Sequence, residues 1–341
     1  MADTSVQSFN QTMGVSANQT TFDFSLRLAL SLPSQIVCLL GLAGNGVVFW
    51  FLCFGMKRNP VTVYVLNLAV VDFSVLLCIS AELLLVLFKA SKIAIPLSLL
   101  QTLRFFFTIG YNNSLYLLTA ISVERCLSVV FPLWYKCHRP KHQSSVVCGL
   151  LWVIAIVVTI LEFFSCTAEE AQRLAPHCMA VMVFLSCLAF GVVYMLMVVS
   201  SVVLVVQVRR CSQKRQPMRL YRAILFNVLV FLVTSCPTRL IGVLRFFQII
   251  ELNRFASFLI YYGHHFSTTI NSSANPYIYF LVGWTQTIKS RGALKGALHR
   301  VFKADPEMSS QSGTFTSIVS RPGELSTGEI GQHSNNNAVL G

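Results

Sequence analysis

Residues 144–165 read SSVVCGLLWVIAIVVTILEFFS and contain one charged side chain, Glu162. A helix of this length extends about 33 Å at about 1.5 Å per residue, which is enough to cross a hydrocarbon core about 30 Å thick. Apolar runs of similar or greater length occur at residues 28–54, 61–88, 97–130, 179–207, 219–249 and 256–282. The sequence therefore predicts an all-α membrane protein in which residues 28–284 form a bundle of seven transmembrane helices.

The composition agrees with a membrane location. Of the 341 residues, 55% are hydrophobic and 11% are charged, whereas soluble chains carry about a quarter charged residues. The net charge of +13 would suggest nucleic acid in a soluble protein, but here the basic residues lie in short segments between the apolar runs. We therefore expect contacts with membrane lipids and no nucleic acid partner.

The distribution of Lys and Arg predicts the orientation of the bundle. Most of these residues follow the first, third, fifth and seventh apolar runs, at 57–58, 136–141, 209–222 and 289–303. Positive segments stay on the cytosolic side, so we expect a multi-pass plasma-membrane protein with an extracellular N-terminus. Residues 1–27 would form an extracellular tail, whose two Asn-x-Thr sequons predict glycosylation at Asn10 and Asn18.

The C-terminal part of the chain divides into two segments. Residues 285–303 place apolar and basic side chains on different faces, which predicts a short amphipathic eighth helix at the membrane surface. A basic solvated tail is the alternative, because two glycines weaken the helix. Residues 304–341 are rich in Ser, Thr, Gly and Asn, which predicts a disordered cytosolic tail.

Several polar residues fall inside the predicted spans, where they must find partners. A group of them shares a similar mid-membrane depth: Asn45, Asp72, Ser114, Asn271 and Asn275. Carboxylate, hydroxyl and amide oxygens are the hard ligands that a small cation prefers. This group predicts either a sodium site centred on Asp72 or a hydrogen-bonded cluster without an ion. An intramembrane protease would need a second mid-membrane aspartate, so we do not expect an enzyme.

Cysteines and prolines add two further predictions. Of the eleven cysteines, Cys166 and Cys178 fall at the outer ends of helices four and five, where oxidation is permitted, so a disulfide between them is favoured. Pro237 and Pro276 lie inside helices six and seven. Each removes a backbone hydrogen bond and should kink its helix.

The order and spacing of these motifs resemble the class A (rhodopsin-like) G-protein-coupled receptors over residues 28–302. The motifs are Gly44-Asn45, Asn67-Leu68-Ala69-x-x-Asp72, Glu124-Arg125, Trp152, Pro237 and Asn275-Pro276-x-x-Tyr279. Within this class, residues 116–128, 132–140 and 270–276 are most similar to the Mas and Mas-related receptors, and nearest to Mas. Cys126, where the class has tyrosine, is a mark of that subfamily.

The resemblance implies roles at the cytosolic face. Glu124 would hold Arg125 at rest, and Arg125 would contact a heterotrimeric G protein when released. Tyr279 would swing toward it, with Asn275-Pro276 as the bending point. Arrestin and receptor kinases are implied partners of the C-terminal tail. Ser235 replaces the tryptophan that usually precedes the helix-six proline, so the step that links ligand to helix six cannot be carried over from the class.

The resemblance also places a ligand pocket among the outer halves of the helices. Its candidate residues are Glu82, Arg104, Phe107, Glu162 and Arg239. Phe107 stands where amine receptors have an aspartate, which argues against a biogenic amine. Glu162 would receive a basic group of a peptide or small charged agonist, or else pair with Arg239 or Arg104. A channel or transporter is the alternative function, but the paired broken helices typical of transporters are not apparent.

Overall fold

The computed structural model describes residues 2–55, 59–166, 176–210, 218–251 and 253–284. Within these ranges the chain forms seven long helices and no strand. Six of them are α1 (Ala2–Phe54), α2 (Pro60–Ala90), α3 (Leu97–Val130), α4 (Gln143–Cys166), α6 (Met218–Phe246) and α7 (Arg254–Trp284). The remaining one, α5, runs through Pro176–Ser186, a π-helical segment Cys187–Tyr194 and Met195–Arg210. A short helix, Pro132–Cys137, lies between α3 and α4.

The observed helices confirm the predicted seven-helix bundle. Helix α1 is longer than its apolar run, because it begins at Ala2, although its apolar span covers Phe24–Phe54. The predicted eighth helix at 285–303 and the tail at 304–341 lie outside the described residues.

Helices α3 and α7 contain the largest numbers of buried polar side chains in the described bundle. Helix α3 packs against α2, α4, α5 and α6, whereas α7 packs against α1, α2 and α6. The other five long helices contain spans apolar enough to cross a membrane on length and hydropathy alone. Helices α3 and α7 do not reach that hydropathy, because they bury polar residues such as Asn113, Glu124 and Asn271. Polar residues in a membrane face the protein interior, so the two helices are suited to form functional sites.

The start of α2 shows how local sequence fixes a helix end. The side chain of Asn59 accepts a hydrogen bond from the Thr62 amide at 2.9 Å, and the Thr62 hydroxyl accepts one from the Asn59 amide at 2.8 Å. Pro60 follows at the first helical position, where its missing N–H costs nothing. This reciprocal cap stabilises the helix by about 0.5–2 kcal/mol.

The bundle has an apolar core and an apolar exterior. Leu76, Ile79 and Phe231 are fully buried between helices. Trp50, Phe164 and other large apolar side chains are exposed on the outer surface, as expected where lipid is the solvent. We call the end that contains Phe24 and residues 91–96 the N-face, and the end that contains the short helix the C-face.

Candidate functional site

The centre of the bundle holds the buried carboxylate of Asp72. It accepts hydrogen bonds from the Ser114 hydroxyl of α3 at 3.0 Å and from the side-chain amide of Asn275 in α7 at 2.5 Å. Ser272 of α7 is a third hydrogen-bonding partner. The structure therefore brings together three of the five predicted core residues and joins α2, α3 and α7 through one acid.

Asn45 joins α1 to the same region at the point where α7 is interrupted. Pro276 has no N–H to donate to the carbonyl of Ser272, four residues earlier in the helix. The side-chain amide of Asn45 donates to that carbonyl at 3.0 Å, and also to the carbonyl of Gly41 at 3.0 Å. A neighbouring helix thus satisfies the acceptor that the proline leaves free.

The sequence analysis named Asn271 for this cluster and missed Ser272. Asn271 is buried, but the described hydrogen bonds to Asp72 come from Ser114, Ser272 and Asn275. Residues 272 and 275 are three positions apart and share a helix face. That spacing was the available signal.

The oxygen atoms at and around Asp72 fit the coordination chemistry of a small hard cation. One carboxylate and two hydroxyls surround the buried position, and oxygen ligands of this kind suit Na⁺ better than a transition metal. Among the residues that the structure describes, no group of three or more His, Cys, Asp or Glu side chains could hold a metal ion.

At the C-face, Glu124 pairs with a partner that the sequence analysis did not name. Its carboxylate accepts a hydrogen bond from Arg139 at 2.8 Å and one from the Tyr135 hydroxyl at 2.9 Å. Arg125 instead donates to the Tyr135 hydroxyl at 3.4 Å. The expected Glu124–Arg125 pair is thus corrected to Glu124–Arg139, because adjacent residues on a helix point in different directions.

Tyr135 is the link between the two halves of this C-face cluster. Burial, with Glu124 nearby, raises the pKa of its phenol above the usual range. The hydroxyl therefore remains protonated and donates to the carboxylate of Glu124 while accepting from Arg125. The guanidinium of Arg139 also lies over the Tyr135 ring, 5.1 Å from its centroid.

Two other sequence motifs form contacts between helices. The indole of Trp152 in α4 donates to the side-chain oxygen of Asn67 in α2 at 3.2 Å. Tyr279 is buried in α7, with its hydroxyl beside the side chain of Asn227 in α6. Tyr279 therefore connects α7 to α6, the helix that contains Pro237.

Toward the N-face, Glu82 is buried and already neutralised. Arg104 donates to its carboxylate at 2.9 Å, the Tyr261 hydroxyl donates at 3.0 Å, and His265 lies 4.0 Å away. The ring of Phe107 lies 5.8 Å from that of His265. The structure thus places Glu82, Arg104 and Phe107 near two residues of α7, Tyr261 and His265, that were not predicted for the pocket.

Glu162 and Arg239 line one small cavity of about 30 Å³. Arg239 donates to the side-chain oxygen of Asn112 at 2.6 Å and lies over the ring of Tyr111 at 5.0 Å. Among the described side chains, Glu162 forms no ion pair, so its expected alternative pairing with Arg239 or Arg104 is not observed. The cavity has room for water rather than for a ligand group.

The remaining predicted sites are described only in part. Cys178 is buried and disulfide-bonded, whereas the side chain of Cys166 lies outside the described residues. The side chains of Asn10 and Asn18 are also outside them. The Cys166–Cys178 pairing and the two glycosylation sites stay predictions.

Comparisons with known proteins agree with this geometry. The sequence model of the protein family described as 7 transmembrane receptor (rhodopsin family) matches residues 44–279 of this chain. The chain is 40% identical to the proto-oncogene Mas of Rattus norvegicus over 285 residues, which cover 82% of this chain and 85% of that protein. It is 39% identical to Mas of Homo sapiens over 297 residues, with coverage of 82% and 85%. It is also 40% identical to the Mas-related G-protein coupled receptor member D of Mus musculus over 277 residues, with coverage of 80% and 85%.

Proposed function

Because the chain belongs to the rhodopsin family of seven-transmembrane receptors, and within it to the Mas and Mas-related G-protein-coupled receptors, we propose that it binds a peptide or small charged agonist at the N-face and activates heterotrimeric G proteins at the C-face. In this proposal the N-face is extracellular and the chain lies in the plasma membrane. Residues 1–27 form its glycosylated tail, and residues 304–341 receive receptor kinases and arrestin.

The observation that carries the proposal is the state of Arg125. Its side chain is only 8% exposed, and its Nε has no hydrogen-bonding partner among the described atoms. The nearby carboxylate of Glu124 is already occupied by Arg139 and Tyr135. A buried cation with an unmatched donor pays a desolvation cost, so a rearrangement that offers it carbonyl or carboxylate acceptors is favoured.

We propose that the G protein supplies those acceptors. Helix α6 bends at Pro237 and α7 bends at Pro276, so that their C-face ends separate. Arg125 then loses its contact with Tyr135. Tyr279, which lies beside Asn227 of α6, follows the same movement. Arg125 and Tyr279 thus lose their contacts inside the bundle and form contacts with the bound G protein.

We also propose that the Asp72 cluster links the two faces. Its three hydrogen-bonding partners lie on α3 and α7, the helices with the most buried polar side chains among the described residues. A sodium ion held by Asp72 with Ser114, Ser272 and Asn275 would favour the arrangement in which these residues are close together, because an ion stabilises the state that it binds.

The test is second-messenger output in cells that express the chain. Calcium and cyclic AMP are recorded together against panels of basic peptides, acidic peptides, and small amines and acids. We expect a response that untransfected cells and cells with Arg125→Ala at matched surface level do not give. A panel without any chain-dependent response, or an equal response from Arg125→Ala, would contradict the proposal.

A further inference from the structure

The N-face contains a second, much larger cavity of about 530 Å³ between α1, α2, α3 and α7. Cavities that hold small organic ligands have volumes of about 300–1,000 Å³. Its polar lining consists of Arg27, Lys89, Arg104, Tyr261 and Tyr262, and its apolar lining includes Phe258 and Leu100. This volume is large enough for a small organic ligand.

The charge of this cavity is unbalanced. Among its described lining residues, three are cations and none is an acid. Arg104 is compensated, because it pairs with the buried Glu82 beside the cavity. Arg27 and Lys89 form no ion pair with any side chain that the structure describes. Within the described part of the chain, the lining therefore presents two positive charges, on Arg27 and Lys89, without an ion-pair partner.

Arg27 is held in place at the wall of the cavity. Its guanidinium lies over the ring of Phe258, 5.0 Å from the centroid, and Tyr262 lines the same cavity. A snorkelling role toward lipid headgroups would account for Lys89 at the end of α2. It does not account for an arginine that lies over an aromatic ring of α7. The arrangement positions a cation next to apolar surface.

We propose that this cavity binds the anionic group of an organic ligand, with the carboxylate between Arg27 and Lys89 and an apolar body against Phe258 and Leu100. This inference rests on the proposed receptor function and names the chemistry that its N-face recognises. A cationic ligand is disfavoured there, since it would lie among three positive side chains. Both a small organic acid and the C-terminus of a peptide present the required carboxylate.

The experiment measures binding directly on the purified full-length receptor in phosphatidylcholine nanodiscs. The probe is 4-(trifluoromethyl)phenylacetate, followed by fluorine NMR line broadening, and its uncharged amide is the reference. We expect the acid to bind at least about tenfold more tightly than the amide. Arg27→Gln and Lys89→Gln should each weaken the acid about tenfold or more and leave the amide unchanged, because each removes a charge-assisted hydrogen bond.

Lys92→Gln is the matched control. It removes a positive charge from the same end of the bundle, but Lys92 does not line the cavity. Equal binding of acid and amide, or an equal loss in Lys92→Gln, would overturn the proposal, as would unchanged acid binding in both cavity variants. The second arm compares the acid and amide forms of N-acetyl-Gly-Gly-Phe. A preference for the acid peptide over the small acid assigns the site to a peptide C-terminus, and the reverse assigns it to a small acid.

The binding assay separates this inference from the receptor function. Acid binding that depends on Arg27 and Lys89 without any G-protein response would retain the site and refute the signalling role. A G-protein response whose ligand is insensitive to both substitutions would retain the receptor and refute the site.

Discussion

Replacement of Asn45 by alanine should destabilise the bundle through a carbonyl on another helix. The Asn45 amide is the donor to the Ser272 carbonyl that Pro276 leaves free, at 3.0 Å. Asn45 is 1% exposed and Ser272 is 1% exposed, so water cannot easily replace the amide. Leaving a buried acceptor unsatisfied costs about 1–3 kcal/mol, which corresponds to a fall in melting temperature of roughly 2–12 °C for a domain of this size.

A double-mutant cycle isolates that contact. Pro276→Ala restores an N–H that can bond to the Ser272 carbonyl within α7, so Asn45→Ala should cost at least about 1 kcal/mol less in that background. The assay is the fraction of monodisperse receptor on size exclusion after heating in detergent, at one fixed heating rate because the unfolding is irreversible. Asn67→Ala is the control, since Asn67 contacts Trp152 and not α7. An Asn45→Ala effect of equal size in both backgrounds would refute the reasoning.

Three further outcomes are expected. If Asp72 holds sodium, NaCl should raise the melting temperature above that in choline chloride, and Asp72→Asn should abolish the difference; no sodium effect in the unmodified chain would favour the hydrogen-bonded cluster without an ion. Peptides digested without reductant should show Cys166 linked to Cys178 by mass spectrometry, and a free thiol at either position would reject the bridge. Arg139→Gln should cost about 3–5 kcal/mol, because it leaves a buried carboxylate without its cation, whereas Lys141→Gln on the same exposed segment should be near neutral; equal effects of the two would contradict the ion pair.

The lengths of the largely apolar runs were sufficient to predict the helices, although α3 and α7 do not reach the hydropathy of the other five. Runs longer than a membrane thickness cannot form anything else in lipid, and α2 to α7 begin and end within a few residues of the predicted runs. The position of each helix within the bundle was harder to predict from the sequence. Polar residues indicated that parts of the helices face the protein interior, but the contacts of Asp72 with Ser114 and Asn275 depend on which helix faces meet.

The C-face shows why residue pairs were harder to predict. Glu124 and Arg125 are adjacent in sequence, which suggested a pair, yet their side chains leave the helix in different directions. Arg139 reaches Glu124 because the chain turns back through the short helix Pro132–Cys137. No sequence spacing encodes that return.

The N-face illustrates the same limit for ligand sites. The sequence analysis chose charged residues of the outer helix halves, and Glu82 and Arg104 do lie together. Arg104 was considered as a partner of Glu162, whereas it pairs with Glu82, which also accepts a hydrogen bond from Tyr261. Arg27 and Lys89, which line the N-face cavity, were not among the predicted pocket residues.

Nucleotide exchange on purified heterotrimeric G proteins tests the receptor assignment most directly. The chain is reconstituted in nanodiscs with each Gα class in turn, and GTP-analogue uptake is measured with the ligands that give second-messenger responses. Arg125→Ala, matched for folded protein by its melting temperature, is measured in parallel. The account predicts ligand-dependent exchange on at least one Gα class that Arg125→Ala abolishes. Exchange at the level of empty nanodiscs for every class, or equal exchange by Arg125→Ala, would contradict it.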